Sequence, residues 1–107
     1  MADREIKMRT RWYEDVLELQ ILITHPMETG LRIDKNTKKE IRAHFIQKVV
    51  VEHNNKVVVV LDTGAGVSED PLVAFRIKGA KPRDKIKVFW TDNMGESGTH
   101  QGDVSFP

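Results

Sequence analysis

The chain contains no cysteine. That removes a disulfide framework, thiolate metal ligation, a cysteine nucleophile and any sulfur carried covalently on this chain itself. Cupredoxin-type and superoxide-reductase-type metal sites both need a thiolate and are excluded with it. Neither charge is in surplus: 17 Lys and Arg face 16 Asp and Glu, a formal charge of +1. A surface for nucleic acid or an anionic membrane needs a basic excess gathered on one face, so neither partner is expected. Long apolar runs are absent too. The longest, Val57-Val58-Val59-Val60-Leu61, falls far short of the roughly 20 residues of a membrane span. The charged start, Met1-Ala2-Asp3-Arg4-Glu5, lacks the apolar core of a signal peptide, so a soluble chain with no export signal of its own is expected. Helical periodicity is missing throughout, which excludes a parallel sheet built on helical crossovers.

What is present is two-residue alternation broken by turn signals. Ile6, Met8, Thr10 and Trp12 alternate with Lys7, Arg9 and Arg11, a half-buried strand with a basic outer face. Leu17, Leu19, Ile21 and Ile23 form a second strand after the Tyr13-Glu14-Asp15 turn. Ile41, Ala43, Phe45, Val49 and Val51 share one parity and read as a third. Asn54-Asn55 is a hairpin signal, because Asn tolerates the left-handed conformation of such turns, and the Val57–Leu61 run beyond it is the fourth strand. The register of this hairpin stays open between a plain two-residue turn and a bulged one. In either case both of its faces carry valines, Val50, Val58 and Val59 among them. One face packs on the core, and the other needs a cover. Val73, Phe75 and Ile77, then Ile86, Val88 and Trp90, mark two more strands, and Thr99 to Phe106 a final edge strand. The expected fold is all-β: an immunoglobulin-like antiparallel β-sandwich of about seven strands, a single domain over residues 1–107.

The segment His25-Pro26-Met27-Glu28-Thr29-Gly30-Leu31-Arg32-Ile33-Asp34 is longer than a hairpin link requires. Pro26 biases His25 toward an extended backbone, and Gly30 can take a positive φ. Met27, Leu31 and Ile33 are apolar residues in a segment that should lie at the surface. The segment reads either as a docking loop or as a turn whose Met27 and Leu31 fold back over the core.

Chemistry-bearing residues are sparse. His25, His44, His53 and His100 show no metal-ligand spacing between any two, so no metal site and no cofactor is expected. His53 reads as a turn residue and His100 as part of an exposed edge. Glu28, Asp34, Asp62 and Asp92 fall in or beside loops, where carboxylates serve turns and solubility. Ser68 and Ser97 lack a nucleophile motif. Thr63-Gly64-Ala65-Gly66-Val67-Ser68 lacks the Lys-Ser/Thr of a phosphate-cradling loop. No catalytic residue is expected, and the chain reads as a binding module rather than an enzyme. Two other classes are a small metal- or redox-active sandwich using His and Met, and a sandwich that self-associates through its valine face.

The His25–Asp34 stretch resembles the central motif of the SoxZ family of the bacterial thiosulfate-oxidising system. The likeness continues in Ala43-His44-Phe45-Ile46, His53-Asn54-Asn55-Lys56, Phe75-Arg76-Ile77-Lys78-Gly79-Ala80-Lys81 and Asp84-Lys85-Ile86, and ends in Trp90-Thr91-Asp92-Asn93-Met94-Gly95. Departures fall on turns: Asn55 where Gly is common, Asp70-Pro71 where Asn-Pro is common, and Arg83-Asp84 in place of Gly-Asp. The resemblance implies a non-catalytic subunit that pairs with SoxY, whose C-terminal cysteine arm carries covalent sulfur intermediates between Sox enzymes. It further implies a periplasmic location, reached by co-export with the signal-bearing partner, and transient contact with other Sox enzymes. A lone chain would be able to dimerise through the same face. On this reading His25, Met27, Glu28, Gly30, Val50, Val58 and Val59 contact partners.

Overall fold

In a computed structural model, residues 5–64 and 66–104 are described. They form seven antiparallel strands, β1 (Ile6–Tyr13), β2 (Val16–Ile23), β3 (Ile46–His53), β4 (Lys56–Asp62), β5 (Leu72–Lys78), β6 (Lys85–Asp92) and β7 (Ser97–Asp103). One sheet has the order β1-β2-β5 and the other β4-β3-β6-β7, an immunoglobulin-like sandwich. No helix among the described residues is long and apolar enough to cross a membrane.

Alternation builds the core. Leu17, Leu19, Ile21 and Ile23 are fully buried and stand opposite Trp12, Thr10, Met8 and Ile6 of β1. On the other flank Leu17, Leu19 and Ile21 meet Ile77, Phe75 and Val73. Val49, Val51, Ile86, Val88 and Trp90 supply the facing layer. Each fully buried aliphatic side chain contributes about 1.5–3 kcal/mol relative to exposure.

Two sequence expectations are revised, on the third strand and on His100, and the open hairpin register is settled. The third strand begins at Ile46, not Ile41, and its register against β6 shifts between Ile46 and Lys48, so Phe45 and Val49 do not belong to one uninterrupted parity. Asn54 and Asn55 have φ of 51° and 69°, the double left-handed geometry of a type I′ turn. That two-residue turn coexists with a bulge between Val51 and Glu52. As a result Val57, Val58 and Val60 are exposed, while Val59 packs against the core. His100 lies on edge strand β7 opposite the buried Val88, on the parity that faces inward. The last strand ends at Asp103; Ser105 and Phe106, expected to extend it, lie outside the described residues.

Candidate functional site

The end of β2, the start of β3 and the β6–β7 turn converge at one end of the sandwich. Beyond Ile23, Pro26 and a left-handed Met27 (φ 50°) turn the chain inward. Met27 is only 5% exposed, and its Sδ lies 3.3 Å from the Ile46 backbone N–H. Glu28 and His44 then exchange both backbone hydrogen bonds, at 2.7 and 2.9 Å. From the other side Asn93 fastens residues 43–45. Its Oδ1 accepts from the Phe45 N–H, and its Nδ2 donates to the Ala43 carbonyl.

Asp92, the last residue of β6, is buried at the centre. Its Oδ1 accepts the Met94 and Glu96 N–H groups at 2.9 and 2.8 Å, which shapes the turn. Its Oδ2 lies 2.9 Å from His25 Nε2 and 2.8 Å from His44 Nε2. Burial pushes this carboxyl up, but the bonds from His25, the Glu96 N–H, His44 and the Met94 N–H outweigh it and hold the group below the usual carboxylate range. His44 Nε2 also lies 2.6 Å from Glu96 Oε2. The His25 ring meets His44 and Trp90 edge-on, with centroids 4.6 and 5.3 Å away.

The tautomer of His25 follows from its neighbours. The Met27 backbone N–H donates to His25 Nδ1 at 3.1 Å, so Nδ1 is the acceptor and the ring proton sits on Nε2, facing Asp92. A doubly protonated ring would set one N–H against another. His25 is thus a neutral strut between the Met27 backbone and the Asp92 carboxylate.

These positions correct several expectations. His25 is 1% exposed and Met27 is buried, so both side chains lie in the interior of this chain, and Met27 folds back over the core. Leu31, at 85% exposure, and Ile33 carry the apolar surface of the loop instead. Glu28 is half-buried and holds Arg32 through both carboxylate oxygens, a pairing that keeps the acid below its usual range. Gly30 has φ 88°, and a Cβ there would come within 3.2 Å of the Ala43 Cβ. Val50 lies half-buried in the outward row Val60–Val50–Phe89. Val58 is exposed beside it, and Val59 points the other way. Asp92 is buried, although its loop-side position suggested a solvated turn residue. The His25–His44–Asp92–Glu96 grouping escaped sequence reasoning because its members are far apart along the chain. One signal was present: three of the blocks that carry the resemblance each contribute one member, His25, His44 and Asp92.

Comparison with known proteins now decides the family. The family model described as sulphur oxidation protein SoxZ matches residues 6–103. The chain belongs to the SoxZ family. Membership ties it to the Sox sulfur-oxidation system. No curated protein matches the chain. Among solved structures, the superoxide reductase (neelaredoxin) of Archaeoglobus fulgidus in the reduced form is similar, with a TM-score of 0.61 at 18% identity. The alignment covers 96% of this chain and 89% of that one. At this identity the likeness is one of fold.

Proposed function

We propose that this chain is the non-catalytic half of a sulfur-carrier heterodimer. It binds and supports a SoxY-like subunit whose C-terminal cysteine arm carries sulfur intermediates between Sox enzymes. The family match is the observation that carries this reading, and the cysteine-free sequence agrees with it, since the sulfur must then ride on the partner. The outer face of the β4-β3-β6-β7 sheet supports a binding role. Val60 and Val58 on β4, Val50 on β3 and Phe89 on β6 form an apolar patch beside the unpaired edge of β4, a surface of the kind that partner chains cover. The exposed Leu31 and Ile33 on the His25–Asp34 loop are the second surface, offered to incoming Sox enzymes. A periplasmic location, reached bound to the signal-bearing partner, accompanies the reading.

Co-purification tests it. The chain, tagged and expressed with the cysteine-armed subunit of the same source, is expected to retain that subunit. Val60→Asp and Phe89→Asp each place a charge in the buried interface and are expected to cut retention by about tenfold or more, while thermal unfolding of the isolated variants stays near wild type. Retention at the wild-type level in both variants removes this face from the interface. No retention by the wild-type chain removes the carrier reading.

A further inference from the structure

The cluster at Asp92 has three close imidazole–carboxylate contacts and only two imidazole protons to fill them. His44 Nε2 lies 2.8 Å from Asp92 Oδ2 and 2.6 Å from Glu96 Oε2, and a single N–H can be well aligned with only one of the two carboxylates. Asp92 Oδ2 already takes the His25 proton. Two carboxylates therefore converge on one imidazole nitrogen, in a place where neither carboxylate is well exposed. A cation carrying more than one bond would satisfy the lone pair of that nitrogen and both oxygens together.

We propose that His44 Nε2, Asp92 Oδ2 and Glu96 Oε2 bind a divalent first-row transition-metal cation, with Zn²⁺ as the reference ion. One imidazole and two carboxylates form a donor set of borderline softness suited to such ions. The ligating atoms of His25, His44, Asp92 and Glu96 all lie within 4.8 Å of one another. Zn–N and Zn–O bonds of about 2.0–2.2 Å require only small side-chain movements to admit the ion. Asp92 is pre-positioned, because the Met94 and Glu96 N–H groups hold its other oxygen. His44 and Glu96 are partly open to solvent, with side-chain exposures of 18% and 23%, which provides the entry path and leaves room for water to complete the coordination. All side-chain contacts described for His44 run through Nε2, so its proton can move to Nδ1 and free the lone pair.

His25 is excluded as a ligand. The Met27 N–H occupies its Nδ1 and keeps Nε2 protonated, so this ring donates to Asp92 and orients a ligand, as outer groups around metal sites do. The site therefore has three protein ligands and one positioning histidine. Its place in the chain gives it a consequence: an ion there would tie the start of β3 to the β6–β7 turn, the two segments that carry the His25–Asp34 loop.

Titration of the chelator-treated full-length chain with Zn²⁺ by calorimetry, and with Co²⁺ by visible absorption, tests the proposal. The expected result is one equivalent bound near neutral pH, and a higher unfolding temperature with Zn²⁺. Glu96→Gln and His44→Gln are expected to weaken binding by about 10- to 100-fold, while His53→Gln and His100→Gln leave it unchanged. Nitrogen chemical shifts are expected to show the proton of His44 moving from Nε2 to Nδ1 on Zn²⁺ addition, with His25 keeping its Nε2 proton. If His44→Gln fails to fold, Glu96→Gln decides, since Glu96 lies on a surface turn. Absence of stoichiometric binding overturns the proposal. So does binding that survives Glu96→Gln, or binding that is lost in His53→Gln or His100→Gln.

Discussion

Single residues in this protein are constrained mainly through backbone sign and hydrogen-bond polarity. The three turn positions where the chain departs from the SoxZ pattern, Asn55, Asp70 and Arg83, all have positive φ, at 69°, 51° and 74°. Glycine and asparagine tolerate that region, and other L-residues pay about 1–2 kcal/mol to occupy it. Arg83 has neither a missing Cβ nor a short polar side chain to ease the conformation. Arg83→Gly is accordingly expected to raise stability by about 0.5–1 kcal/mol, the relief being partly offset by the freer unfolded chain. Gly30→Ala is expected to lower it by about 1 kcal/mol or more, because φ 88° and the nearby Ala43 both oppose a Cβ. Denaturant unfolding measures both. Asp84 supplies the pH-dependent case. Its carboxylate accepts from His53 and the Lys81 N–H, which lower its pKa from the ordinary aspartate value to about 2. A carboxyl depressed in the folded state contributes stability that is complete above its unfolded pKa. The contribution fades as pH falls from about 4 toward 2. The gap in unfolding temperature between wild type and Asp84→Asn is expected to close across that window and to stay constant above it.

At the scale of the element, β6 and β7 fit through a glycine. Trp90 is fully buried and pairs with Gly98, where an added Cβ would collide with the indole Nε1. Only glycine leaves room for that ring at the edge strand. Gly98→Ala is expected to cost about 1–3 kcal/mol through overpacking, seen as an earlier denaturation midpoint and altered Trp fluorescence. Gly64→Ala, where a Cβ meets nothing within 4 Å, is the control. Strand identities were legible because alternation with period two is written directly in residues such as Leu17, Leu19, Ile21 and Ile23. Their boundaries were less so. The start of β3 and the facing of Val58 and Val59 depend on bulges, and one extra residue reverses every side chain beyond it.

For the whole molecule, the question is what covers the apolar face of the larger sheet. The Val60–Val50–Phe89 row lies outside the shared core of the two sheets. A partner that binds only the folded chain stabilises it by mass action. The unfolding temperature is therefore expected to rise with the concentration of a SoxY-like subunit, by several degrees once the partner is in large excess of its dissociation constant. Val60→Asp is expected to abolish the rise without lowering the unfolding temperature of the chain alone. A partner-independent unfolding temperature for wild type would mean that the face is not covered in this way.

The amino-acid sequence alone determined the all-β class, the strand identities and the turn at Asn54-Asn55, because these rest on period-two burial and on residues with particular backbone tolerance. Composition likewise settled that no sulfur chemistry can be carried on a cysteine here. The tertiary structure alone decided that His25 and Met27 are interior, that Val59 faces the core, and that Asp92 is the centre of a buried cluster. His25, His44 and Asp92 are separated by tens of residues, and no local pattern encodes their meeting. It comes about only when the ends of β2 and β6 and the start of β3 are brought together by packing of the two sheets.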